Sequence, residues 1–237
     1  MFKTILKAEL RNILRDRMYL FFAIYPVIFG GLGYFLVQWI HDEYPLSNWD
    51  AITAMVLIII TGYVFGALIA FTLLDDKDDK VLLSLKITPI SVKKYVYVKL
   101  LVGMVFGFVA TLTLLVTTNF LPDANFLLLL AVAILGTIQV PSVALIVNSF
   151  SDNKVEGFVI MKLSAMVILF PVIGFMVTGW VQYFLGVAPG YWAGRVIEVQ
   201  LMPTETGNLF LIFCAGVLYN ILATWLLMKL YTKRSNI

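Results

Sequence analysis

Six apolar stretches in this chain are each long enough to cross a lipid bilayer. A helix rises 1.5 Å per residue, so about 20 residues span the roughly 30 Å of hydrocarbon. The stretches are residues 18–39, 51–74, 100–118, 126–147, 158–180 and 208–230. Only 13% of the 237 residues are charged, about half the usual share in soluble domains. The sequence therefore predicts an all-α membrane protein with six transmembrane helices and one domain, residues 1–237.

The Lys and Arg residues fall mostly on one side of these stretches. Positive charges in short loops are retained on the cytoplasmic side of a membrane. Fifteen of the 17 lie in the N-terminal segment, in loops 75–99 and 148–157, or at the C-terminal end. Loops 40–50 and 119–125 have none. This pattern predicts a multi-pass membrane protein with both termini cytoplasmic, and it favours membrane orientation over nucleic-acid binding as the reason for the net charge of +3. We expect the membrane to be a bacterial plasma membrane.

The first 17 residues predict an amphipathic helix that lies on the inner leaflet. Apolar residues recur there at helical spacing, and a second face is basic. The basic residues of that face are Lys3, Lys7, Arg11 and Arg15. Such a helix either anchors the chain to anionic lipid or also contacts a cytoplasmic partner.

The loop 75–99 is the most informative segment of the sequence. It opens with the acidic stretch 75–79 and continues into a short apolar helix, whose N-terminal dipole the acidic residues are expected to favour. Pro89 ends this helix, because the residue before a proline avoids the helical region. Four apolar side chains are expected to be exposed for docking: Leu82, Leu83, Leu85 and Ile87. The alternative is a solvated loop whose charges only fix the topology.

This segment resembles the corresponding loop of the permease subunits of ABC-2-type transporters. Their pattern is an acidic stretch, Gly-Thr-Leu-Glu, a Leu-rich turn, Thr-Pro, and a basic-aromatic run to a Lys that opens the third helix. The matching residues are Asp76, Asp78, Leu82, Leu85, Thr88, Pro89, Ile90, Ser91, Tyr95 and Lys99. The chain departs from the pattern at Lys80, Val81 and Leu83, where the family has Gly, Thr and Glu.

The resemblance implies a coupling helix between spans two and three that binds a cytoplasmic ATPase subunit. The coupling residues it implies are Asp76, Asp78, Leu82, Leu83, Leu85, Ile87, Thr88 and Pro89. ATP and Mg²⁺ would be held by that separate ATPase chain, because nothing here matches G-x-x-x-x-G-K-[ST]. This chain is expected to bind no cofactor or metal and to be no enzyme itself. A second permease subunit, identical or different, and membrane lipid are the other implied partners.

The segment 181–207 is apolar but interrupted by glycine and proline, a composition that favours a re-entrant or interfacial hairpin over a further span. By the resemblance this hairpin is the outer gate, with Tyr191, Trp192 and Arg195. The other interpretation is a belt of aromatic residues at the outer membrane interface.

Small residues and prolines inside the spans predict close packing and bends. Two G-x-x-x-G pairs permit close backbone approach, and we expect packing within the chain rather than a dimer interface. These glycines are Gly62 with Gly66 and Gly103 with Gly107. Each proline removes one backbone hydrogen bond and so predicts a bend. These prolines are Pro26, Pro141 and Pro171.

Lys162 lies about one turn inside the predicted fifth span. Its long stem can reach the interface. Alternatively, Lys162 pairs with Asp152 or Glu156, or faces the transport path.

Three functions fit these features, and an intramembrane protease does not. A protease would need paired catalytic groups within the bilayer, and the single histidine, His41, lies in an outer loop. The leading hypothesis is an ATP-driven exporter. The alternatives are an ion-coupled or passive small-molecule transporter and a membrane scaffold subunit. A path rich in Phe, Leu, Thr and Met without buried charge predicts hydrophobic or amphipathic cargo, such as a drug, an antimicrobial peptide or a lipid.

Overall fold

The computed structural model describes residue 11 and residues 17–44, 49–89, 91–121, 123–177, 179–202 and 207–235. Within these ranges the chain forms helices and no strand. In chain order the first helices are α1 (Arg17–Glu43), α2 (Trp49–Asp78), α3 (Val81–Leu85), α4 (Val92–Thr118) and α5 (Phe126–Thr137). The later helices are α6 (Val140–Ser149), α7 (Lys154–Ala165), the 3-10 helix η1 (Met166–Ile168), α8 (Leu169–Gly174), the 3-10 helix η2 (Trp180–Val187), α9 (Tyr191–Leu201) and α10 (Leu209–Arg234).

Six of these helices or helix groups are long and apolar enough to cross a membrane, which confirms the predicted number of spans. They are α1, α2, α4, α5 with α6, α7 through α8, and α10. The predicted amphipathic helix with Lys3, Lys7 and Arg15 lies outside the described residues. Only Arg11 of that set is described, as helical and exposed.

Several span boundaries differ from the prediction by four or more residues. The third span begins at Val92 rather than at residue 100, because the basic residues after Ser91 are good helix formers and extend the helix past the apolar run. The second span continues to Asp78, since its acidic residues find partners on neighbouring helices. The fifth ends at Gly174 rather than at residue 180.

Helix α2 lies at the centre of the bundle and packs against α1, α4 and α6. Its glycines permit close contact with α5 at Gly62 and with α6 at Gly66. A methyl group on Gly62 would come within 1.8 Å of the Gly136 carbonyl oxygen, and one on Gly103 of α4 within 2.3 Å of Ile69 Cγ1. The prediction that both G-x-x-x-G pairs serve packing within the chain is confirmed. Spans α1, α7 through α8 and α10 are mostly exposed and form the periphery.

Two spans are interrupted near their midpoints. A turn at residues 138–139 separates α5 from α6, and Pro141 lies in the first turn of α6, where its missing N–H costs no helical hydrogen bond. In the fifth span η1 separates α7 from α8, the helix that contains Pro171. Pro26 lies within α1 and does not end it.

Candidate functional site

The short helix α3 covers one end of the bundle, where α2 and α10 end, α4 begins and α6 meets α7. We call this the charged end; it is the end predicted to be cytoplasmic. Helix α3 follows Lys80, which has left-handed backbone geometry (φ 58°), and the Thr88 hydroxyl donates to the Leu85 carbonyl at 2.8 Å after its last turn. The turn at Lys80 therefore directs α3 back across the ends of α2 and α4.

The four apolar side chains of α3 and its continuation do not all face outward. Leu82 is buried in a hydrophobic core that contains residues of α2, α4, α6 and α10, and Leu85 is half-buried against the same core. The prediction that these two are exposed is wrong, because the helix needs an apolar attachment to stay folded at this end. Leu83 and Ile87 are exposed, at 57% and 89%, so they form the available apolar surface. Pro89 is also exposed.

The acidic stretch belongs to the last turns of α2 and not to the start of α3. The expected favourable effect on the α3 dipole is therefore wrong. Asp76 Oδ2 lies 2.7 Å from Lys99 Nζ of α4, with side-chain exposures of 14% and 6%. The Tyr95 hydroxyl donates to the same oxygen at 3.0 Å. Asp76 thus holds α2 and α4 together directly behind α3.

A second set of contacts joins α2 to the turn between α6 and α7. Lys77 Nζ donates to the carbonyls of Asn148 at 2.7 Å and Ser151 at 3.0 Å. Asp75 forms an ion pair with Lys154 at the start of α7, and Asp78 accepts from the Lys154 backbone N–H at 3.4 Å. Because the last turn of α2, residues 75–78, contacts α4, the end of α6 and the start of α7, α3 rests on a connected support.

Helix α10 joins this support through Arg234. Its guanidinium donates to the Ser149 carbonyl at 3.1 Å and lies over the Phe150 ring, 4.7 Å from the ring centre. The sequence analysis had treated these basic residues only as topology signals. The structure adds that two of them, Lys77 and Arg234, bind carbonyl groups at the C-terminal end of α6, where positive charge is favourable.

The three predicted outer-gate residues share one buried helix, α9, which packs between α2, α5, α8 and α10. Tyr191 and Arg195 are buried. Trp192 packs against Gly216 of α10, and its indole N–H donates to the Gly186 carbonyl of η2 at 3.1 Å. The segment therefore folds as η2, a turn and α9. Its re-entrant position in a bilayer stays a prediction.

Arg195 forms an ion pair that the sequence analysis missed. Its Nη1 lies 2.7 Å from Glu198 Oε2, three residues later on α9, and the side chains are only 4% and 5% exposed. With Lys99, these are charges buried in the bundle, so the expectation of no buried charge is wrong. The Arg-x-x-Glu spacing in an otherwise apolar segment was the available signal.

Lys162 lies in the last turn of α7 with an exposed side chain, and its Nζ is 4.5 Å from the centre of the Phe158 ring. Glu156 accepts instead from Asp152 N and Asn153 Nδ2, both at 2.9 Å. The suggested ion pair between Lys162 and Glu156 is not formed. Among the described residues, no group of three or more His, Cys, Asp or Glu side chains could hold a metal ion.

Six apolar spans with α2 at their centre, and with most of the Lys and Arg residues at one end of the bundle, define a multi-pass α-helical membrane protein. A family described as fluoroquinolones export permease protein Rv2686c-like matches residues 9–228. The chain belongs to this family and is a membrane permease.

Two relatives in Mycobacterium tuberculosis are similar over almost their whole length. They are the fluoroquinolones export permease protein Rv2686c of strain ATCC 25618 / H37Rv and its counterpart MT2760 of strain CDC 1551 / Oshkosh. Each is 22% identical over 230 residues, which cover 93% of this chain and 90% of the relative. No solved structure matches the chain. The resemblance to a transporter permease is confirmed by the family.

Proposed function

We propose that this chain is the membrane-spanning permease subunit of an ABC-2-type exporter driven by a separate ATPase chain. Its cargo is a hydrophobic or amphipathic drug, such as the fluoroquinolones named for its relatives. The observation that carries the proposal is α3, which presents Leu83 and Ile87 at the charged end while Leu82 holds it to the bundle.

The attachment of α3 explains how an ATPase could act on the spans. A partner that covers Leu83 and Ile87 removes apolar surface from water, at about 25 cal/mol per Å². Movement of that partner would be passed through Leu82 to α2 and α4, which the Asp76–Lys99 pair links. The coupling function thus rests on the two exposed side chains and on the connected support behind them.

The exposed apolar faces of α1, α10 and the fifth span support the two other proposed partners, membrane lipid and a second permease subunit. These helices bury little of their surface within the chain. In a bilayer such faces are covered by lipid or by another transmembrane subunit. A second permease subunit, of the same or a different kind, is part of the proposed exporter.

Affinity purification of the tagged chain from mild detergent tests the ATPase partnership. The variant is Leu83→Asp, because Leu83 is exposed and its replacement leaves the core intact, whereas Leu85 packs against the core. The matched control is Val155→Asp, an exposed apolar residue in the first turn of α7. We expect an ATPase to copurify with the wild type and the control, and to be lost with Leu83→Asp.

Two outcomes of this experiment would count against the proposal. If no ATPase accompanies the wild type, the chain does not act as an ABC permease. If Leu83→Asp retains the ATPase as fully as Val155→Asp does, the ATPase binds elsewhere and α3 is not the coupling helix.

The buried Arg195–Glu198 pair favours a second candidate, an ion-coupled permease. Ion-coupled transporters place ionisable residues within the membrane bundle, and this pair is buried in α9. Drug accumulation in cells that express the chain separates the two candidates. Collapse of the proton gradient at constant ATP raises accumulation only if export is ion-coupled, whereas depletion of ATP with the gradient maintained raises it only if export is ATP-driven.

A further inference from the structure

A small cavity lies where three interruptions of regular backbone meet. It is lined by residues of α2, of the turn before α6 and of α6, of the junction between α7 and α8, and of the turn before α9. Those lining residues are Ile59, Tyr63, Gln139, Val143, Ile146, Ser164, Val167, Ile168, Pro189 and Gly190. Non-helical backbone at membrane depth is tolerated where it is buried in protein or lines a cavity, and in transporters broken helices point to binding sites.

The polar groups of this cavity lie near the middle of three spans. Tyr63 is the fifteenth residue of the 30-residue α2, Gln139 lies midway between Phe126 and Ser149, and Ser164 lies midway between Lys154 and Gly174. Each span is thus divided into two similar halves by its polar residue. The cavity is therefore placed in the central part of the bundle rather than at either end.

The carboxamide of Gln139 is buried, with 3% of the residue exposed. Its Nε2 donates to the carbonyls of Gly136 at 2.8 Å and Ile59 at 3.2 Å. Both amide hydrogens are therefore used, and Oε1 points the other way, toward Gly190, where a methyl group would lie 3.0 Å from it. No described residue donates a hydrogen bond to this oxygen.

The two hydroxyl groups of the cavity are also left with acceptor capacity. Ser164 donates to the Met161 carbonyl at 2.9 Å. Tyr63 donates to the same carbonyl at 2.6 Å and lies 2.9 Å from the Ser164 oxygen. Since each hydroxyl hydrogen is engaged, what Tyr63, Ser164 and Gln139 can offer a guest is oxygen lone pairs.

We propose that this cavity binds an uncharged hydrogen-bond donor, a hydroxyl or N–H group, of an amphipathic molecule that the permease carries. The cavity has a volume of about 30 Å³, enough for one water-sized group. The rest of the bound molecule therefore lies outside the cavity, against the apolar side chains around its opening. None of the lining residues is charged, so nothing there would balance an ammonium group. This inference rests on the proposed transport function.

Binding to the purified full-length chain in detergent tests the site without ATPase or transport. The probes are an alkanol joined to dansyl through an N-methyl sulfonamide, whose only hydrogen-bond donor is its terminal hydroxyl, and its methyl ether, which has no donor. Energy transfer from tryptophan to dansyl reports binding, and the partition of each probe into protein-free micelles is measured and divided out of its apparent affinity. We expect the alkanol to bind about three- to tenfold more tightly than the ether, the value of one net hydrogen bond.

Three variants assign the effect to the cavity. Gln139→Met removes the acceptor and Tyr63→Phe removes a hydroxyl. Gly190→Ala retains Gln139 but adds a methyl group 3.0 Å from its Oε1 and 2.8 Å from Ile59 Cγ2, which takes up the space that a guest would need. Each is expected to bring the affinity ratio to about one, and Gly190→Ala keeps the test valid if Gln139→Met fails to fold. The matched controls are Tyr25→Phe and Ser142→Ala, which change buried hydroxyls outside the cavity and should keep the wild-type ratio.

Several results would overturn the inference. One is equal affinity of the wild type for the alkanol and the ether, which would leave the cavity as a site for structural water only. Another is a preference for the alkanol that survives Gln139→Met, or that survives Gly190→Ala. A third is a preference lost equally in the two controls. Failure of ATPase copurification would instead count against the proposed function and leave this binding result unaffected.

Discussion

At the scale of single residues, the bundle uses its few buried charges to fix neighbours rather than to add stability. Desolvation of an ion pair costs about as much as its attraction returns. Asp76 and Lys99 are 23 positions apart in sequence and 2.7 Å apart in the fold. They therefore specify how α2 and α4 align behind α3, and the loss of one partner matters more than the loss of both.

Replacement of Asp76 tests this interpretation. Asp76→Leu leaves the buried Lys99 ammonium without its carboxylate, and we expect a loss of about 3–5 kcal/mol in the free energy of unfolding. The double variant Asp76→Leu with Lys99→Met removes both charges at similar volume and should unfold close to the wild type. Thermal unfolding of the purified chain in detergent, across the double-mutant cycle, measures the coupling. A double variant as unstable as Asp76→Leu would show that the charges are not the cause.

At the scale of helices, α3 is held by one face and free on the other. Leu82 belongs to the hydrophobic core that α2, α4, α6 and α10 share, and its neighbour Leu83 is exposed. One turn of helix is too short to be stable alone. Its position therefore depends on packing, and substitutions at adjacent residues should differ sharply in their effect.

The pair Leu82→Ala and Leu83→Ala measures that difference. We expect Leu82→Ala to lower the free energy of unfolding by about 2–5 kcal/mol, through lost burial and a residual cavity. Leu83→Ala should change it by less than about 0.5 kcal/mol, as is usual for exposed positions. Melting temperatures in one detergent compare the two. Equal effects would mean that α3 does not pack as described.

The contact between α2 and α5 depends on glycine. A methyl group at Gly62 would overlap the Gly136 carbonyl oxygen, so the two helices must separate to admit it. We expect Gly62→Ala to destabilise the chain by about 1–3 kcal/mol. Gly31→Ala in α1 is the matched control, because nothing lies within 4 Å of the added methyl group, and it should be neutral or stabilising. The comparison is made by thermal unfolding, and equal losses would contradict the close packing at Gly62.

At the scale of the whole molecule, the open question is which end of the bundle faces the cytoplasm. The described charged end contains most of the Lys residues and the ends of α2, α6 and α10. Positive charges in short loops are retained inside. The opposite end contains the connections from α1 to α2 and from α4 to α5, in which no Lys or Arg occurs.

Cysteine labelling tests this orientation. In a background where Cys214 is replaced by serine, Asp123→Cys at the opposite end and Lys80→Cys at the charged end are both exposed positions. We expect a membrane-impermeant maleimide to label Asp123→Cys in intact cells and to label Lys80→Cys only after the cells are opened. The reverse labelling pattern would show that the topology is inverted, so that α3 could not contact a cytoplasmic ATPase.

The sequence by itself determined the number of spans, the all-helical class and the predicted cytoplasmic end. Each follows from local properties: the length of an apolar run, the cost of leaving backbone groups without hydrogen bonds in lipid, and the charge of short loops. The tertiary structure decided which side of α3 is buried, that Asp76 binds Lys99, that Arg195 and Glu198 are enclosed, and that Gln139 meets Tyr63 and Ser164. These depend on which helices approach one another, because burial and pairing are set by residues far apart along the chain.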